Sequence, residues 1–132
     1  MRKASRSTSN KILAFAAAVE ACTGLVLMID PSVVVALLLG ADVSGVGALL
    51  GRCFGIALTA LGLAYWPSHG SSLPAFRAMW IYNALIALFL AYLGTVERLG
   101  GLLLWPVVAL HAVVALLLVW SWRRERRTKA AI

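Results

Sequence analysis

Apolar residues run along this chain in four long blocks, each closed by a proline, a glycine or a change to polar residues. The first block, 12–29, ends at Asp30-Pro31, because the residue before a proline is pushed out of helical geometry. The second runs over about 46–66 and stops at Pro67. The third, about 74–93, is entered through Ser71 and Ser72 as caps and left at Gly94. The fourth covers about 102–122. Each block meets the roughly 20 apolar residues that a helix needs to cross a bilayer. An open sheet would leave backbone groups unpaired in lipid. The apolar runs are also too unbroken, and the chain too short, for an eight-stranded barrel. The pattern therefore predicts an all-α fold: a four-transmembrane-helix bundle over 12–122.

A shorter apolar run, Pro31 to Gly40, separates the first two spans. Asp30 suits a helix cap, Pro31 the first helical position and Gly40 the stop. These signals predict a short interfacial helix, or one tucked against the bundle. Its valines favour the rival reading, an extended connector. In the fourth span Pro106 frees the carbonyl of Leu102, so a kink is expected there.

Composition agrees with the pattern. The 132 residues are 62% hydrophobic and 13% charged, with mean hydropathy +0.92. A soluble domain is roughly 45–50% apolar, and small ones bury the least of their surface. A soluble enzyme, a disordered tail and a disulfide-stapled module are thereby excluded. The net charge of +7 sits in two tails. Arg2, Lys3, Arg6 and Lys11 give +4 within residues 1–11, and Arg123, Arg124, Arg126, Arg127 and Lys129 less Glu125 give +4 within 123–132. The middle nets −1, from Arg52, Arg77 and Arg98 against Glu20, Asp30, Asp42 and Glu97.

Basic tails around an even number of spans place both termini in the cytoplasm of a bacterial inner membrane. The 68–72 loop, with His69, would lie on the same side. Trp66, Trp80, Trp120 and Trp122 would line the inner interface, with Tyr92 and Trp105 at the outer one. The tails suit anionic lipid head groups. Nucleic acid is not an expected partner, since Trp120 and Trp122 read as interface anchors. A competing reading takes Arg2–Lys11 and the small residues up to Ala21 as a cleaved signal peptide. The apolar run continues past Glu20 to Ile29, which opposes it.

Four polar groups fall inside the spans, one on each: Glu20, Arg52, Asn83 and His111. Intramembrane ionisable residues face the interior and mark either a lock or a functional site. Glu20 lies ten residues before Asp30, about 15 Å deep. It shares a small-residue face with Ala16, Ala17, Thr23 and Gly24. Arg52 shares another with Ala48, Gly55, Thr59 and Gly62. A second row, Gly47, Gly51 and Gly55, has the spacing of tight helix contacts. A Glu20–Arg52 ion pair is therefore expected between adjacent antiparallel helices; the rival reading has Arg52 reaching outward alone. Asn83, beside Tyr82, and His111 lie at similar depth. Together the four residues read either as a proton-handling or ligand-binding cluster or as interhelical hydrogen bonding. Cys22 and Cys53 lack metal-ligand spacing and read as small buried hydrophobes. No metal or cofactor motif is present.

The segments Ala18–Leu25 and Gly51–Leu58, Leu104-Trp105-Pro106 and His111 resemble a group of small bacterial four-helix inner-membrane proteins without an assigned activity. The arginine-glycine start of the second span is distantly similar to DoxX-like proteins, some linked to membrane thiol or quinone redox. Three functions follow as expectations. The first is a non-enzymatic accessory, interaction or lipid- or quinone-binding protein, as a homo-oligomer or in a larger membrane complex. The second is a proton-coupled small-molecule transporter using Glu20 and His111. The third is a DoxX-like redox protein using the cysteines. A paired Glu20 would stay ionised, which weighs against the second.

Overall fold

A computed structural model describes residues 2–66 and 73–130, with side chains placed for 9–66, 74–124 and Arg127. Five helices follow in order: α1 (Arg2–Ile29), α2 (Pro31–Leu39), α3 (Gly45–Ala64), α4 (Leu73–Thr95) and α5 (Leu104–Ala130). Four of them carry membrane-length apolar stretches, Ser9–Ile29, Gly45–Ala64, Pro74–Thr95 and Leu104–Arg124. The chain is a multi-pass membrane protein with an all-α, four-span bundle. Helices α1 and α5 run on into the basic stretches at both ends. Ser71, Ser72 and His69 lie outside the described residues.

The short run after α1 is a helix, which removes the extended-connector reading. The Asp30 carboxylate accepts from the amides of Ser32 at 3.0 Å and Val33 at 3.4 Å, and from the Ser32 hydroxyl. These bonds, with Arg52 nearby, hold the Asp30 carboxyl below its ordinary range. Gly40 ends α2 in left-handed geometry at φ 66°, open to glycine without a Cβ penalty. The last carbonyls of α2 are then closed from a distant loop. Leu37, Leu38 and Leu39 accept from the amides of Leu103, Gly101 and Gly100 at 2.8, 3.0 and 3.2 Å. A side chain at Gly101 would run into the Leu37 carbonyl, so the approach depends on its absence. This clasp joins the α1–α3 connection to the α4–α5 connection at one end of the bundle.

The expected kink at Pro106 is absent, and α5 is continuous from Leu104. The helix starts two residues later than the apolar pattern suggests. Pro106 therefore falls in its first turn, where backbone amides have no intrahelical partner to lose.

The helices do not pack as a square. α1 is central, with α3 along one side and α5, with some of α4, along the other. α4 pairs chiefly with α5, while α3 leans almost wholly on α1. The reason lies in the faces of α1. Small residues Ala17, Ala21 and Gly24 meet Gly55, Thr59 and Gly62 of α3 with the backbones nearly touching. A neighbouring face, Leu13, Ala16 and Ala17, enters a core with Ala75, Phe76 and Met79 of α4 and Val114 and Leu118 of α5.

Of the residues expected to pack helices, Gly24, Gly55, Thr59 and Gly62 form the α1–α3 seam. Gly51 instead faces Pro31 at the start of α2, and Gly47 faces only Val43 before its own helix. The row Gly47-Gly51-Gly55 is thus not one contact stripe. An untwisted four-residue row drifts by about 40° per step around a helix, and only its last member reaches the seam.

Candidate functional site

Glu20 is one of the most buried side chains in the protein, at 1% exposure. It lies eleven residues from Ser9 and nine from Ile29, the ends of its apolar span, and so near mid-membrane. Its face of α1 turns away from α3, toward α4 and α5. There the Tyr82 phenol lies close enough to act on the carboxyl. Among the described residues the carboxyl oxygen Oε1 has no hydrogen-bond partner. The His111 imidazole lies beside it, with Nδ1 3.8 Å from Oε1.

His111 and Asn83 are buried together. The Asn83 amide nitrogen donates to the Met79 carbonyl at 2.9 Å, within α4. That contact orients the amide, because the flipped form would set oxygen against oxygen. The Asn83 oxygen is then left to accept from His111 Nδ1 at 2.9 Å, across to α5. Nδ1 therefore carries a hydrogen, and Nε2 is the basic nitrogen of the neutral ring. Tyr82 meets the same imidazole edge-on, with centroids 6.1 Å apart at 80°. The constellation is a carboxyl, an imidazole, a phenol and a carboxamide from three helices in one apolar layer. Two of these groups, the Glu20 carboxyl and the His111 imidazole, can each take up or release a proton, and the Asn83 contact orients the ring beside the carboxyl.

Arg52 does not join this group, and the expected Glu20–Arg52 pair is not formed. Arg52 is exposed on α3 and acts on Asp30 at the head of α2. The cause is rotational. At 100° per residue Arg52 lies about 60° from Gly55, about 80° from Gly62 and about 120° from Leu58, the three buried residues of α3. That puts it at the rim of the seam, where a long side chain reaches outward toward a carboxylate instead of crossing α1. The four-residue cluster thus reduces to Glu20, Asn83 and His111, and gains Tyr82. Tyr82 has a sequence signal, a tyrosine far from either interfacial belt and next to an intramembrane Asn.

Cys22 and Cys53 correct a further expectation: both are free and exposed rather than buried. No family model, curated protein or solved structure matches the chain.

Proposed function

We propose that the protein is a proton-coupled small-molecule carrier, with Glu20 and His111 as the groups that take up and release the proton. The observation that carries this reading is the Glu20 carboxyl at mid-membrane, with one oxygen unbonded and, among the described residues, no arginine paired with it. A Glu20–Arg52 lock would favour an accessory role; without it the carboxyl is free to exchange its proton. Asn83 and Tyr82 serve as positioning residues for the two titrating groups. The basic tails and acidic far loops support a bacterial inner membrane with both termini cytoplasmic.

The test uses the full-length protein in liposomes. Infrared difference spectra from about pH 4 to about pH 9, a window around the ordinary Glu and His values, should show a carboxyl band that titrates and is absent in Glu20→Gln. Any small organic solute that the wild type takes up above the empty-liposome level under an imposed pH gradient should fall to that level in Glu20→Gln. His111→Gln should shift its pH profile. A Glu20 carboxyl that does not titrate, or a Glu20→Gln protein with every flux unchanged, overturns the proposal.

A further inference from the structure

A second feature lies apart from the buried cluster, at the end of the bundle where α4 begins and α5 ends. A groove of about 360 Å³ runs between these helices, lined by Phe76, Trp80, Ile81, Val119 and Trp122, with Arg77 and Arg123 among the lining residues. Its place along the membrane normal follows from the spans. Arg77 is three residues inside the Pro74 end of one apolar stretch, and Arg123 is one residue inside the Arg124 end of the other. The two arginines come from adjacent helices and both line the groove near the apolar–polar boundary. Both are exposed, and among the described residues neither has an ion-pair partner.

We infer that this groove is a binding site for one anionic phospholipid. The phosphate sits between the Arg77 and Arg123 guanidinium groups, and one acyl chain lies along Phe76, Ile81 and Val119. Guanidinium suits the role because its planar fork matches phosphate oxygens and it is weakly hydrated at an apolar boundary. Trp80 and Trp122 flank the groove where indole rings lie at head-group level. Charge complementarity selects the occupant. Two unpaired cations at the rim of an apolar slot match a head group with net negative charge, whereas a zwitterionic lipid would set its own cation beside them. The inference is independent of the proton-coupled reading, since it uses none of that site's residues.

The experiment is native mass spectrometry of the full-length protein, released from bilayers of equal phosphatidylglycerol and phosphatidylcholine. The wild type should retain phosphatidylglycerol in preference, with one lipid dominant. Arg77→Gln and Arg123→Gln should each lower that preference about fivefold, the factor corresponding to about 1 kcal/mol per basic residue at an anionic surface. Arg77→Lys, which keeps the charge, should retain most of it and guards against a folding defect. Arg127→Gln, exposed further along α5, should leave the ratio unchanged. Equal retention of the two lipids overturns the site. So does an Arg127→Gln loss as large as the other two, which would mean a diffuse surface charge. Displacement of the lipid by inorganic phosphate also overturns it, because the ligand would then be the free anion.

Discussion

The seam between α1 and α3 makes a quantitative prediction through Gly55. A methyl group added there would lie 2.6 Å from the Gly24 carbonyl oxygen and 2.8 Å from the Met28 amide nitrogen. Ordinary van der Waals contact begins near 3.4 Å, so the methyl needs roughly 0.8 Å of extra room. The obstructing atoms are backbone, which no rotamer change can move. α3 must therefore lift from α1, and a gap of 0.5–1 Å forfeits about a quarter to a half of each contact's attraction. α3 has almost no packing on α4 or α5 to fall back on. Overpacking a close-packed site costs about 1–3 kcal/mol, and Gly55→Ala should fall in the upper half of that range. Gly24→Ala, which meets Gly55 and Thr59 at 2.5–2.6 Å, should behave alike. Gly47→Ala is the control, because its methyl would meet only the movable side chain of Val43. It should cost less than about 0.5 kcal/mol. Reversible unfolding of the full-length protein in mixed micelles gives the three values. If Gly55→Ala proves no worse than Gly47→Ala, the backbone contact is wrong and the equivalence of the glycine row is restored.

Two further outcomes follow from the hydrogen-bond geometry. Asn83→Leu removes the acceptor of His111 Nδ1 and should cost about 1 kcal/mol, within the range of about 0.6–1.7 for polar contacts between membrane helices; a double-mutant cycle with His111→Phe should return a coupling of similar size, and a coupling near zero would remove Asn83 as positioning residue. The Asp30 cap makes a pH prediction: its folded-state carboxyl titrates below the unfolded value near 3.9, so its contribution is present above that value and lost as pH falls through the folded one. Hydrogen exchange at the Ser32 and Val33 amides should accelerate over that acidic window in the wild type but be fast and pH-independent of the cap in Asp30→Ala; unchanged protection in the variant would show that the carboxylate does not hold the turn.

Local chemistry was legible without the fold. Span number and length follow from bilayer thickness, and α2 from Asp30, Pro31 and Gly40, because capping and proline geometry act within four residues. The presence of polar groups at mid-membrane was equally visible in Glu20, Asn83 and His111, since depth is residue count times helical rise. Tertiary structure alone decided which of them meet. Both Glu20 and Arg52 sit beside small residues, and a helical wheel does not say which of two adjoining faces a central helix gives to which neighbour. α1 presents Ala17, Ala21 and Gly24 to α3 and Glu20 to α4 and α5, so a rotation of about 60° on α3 is enough to leave Arg52 outside. The same holds for the clasp between Leu37–Leu39 and the 100–103 loop. Backbone amides carry no sequence signature of their distant partner, and only the folded chain brings those two connections to one end of the bundle.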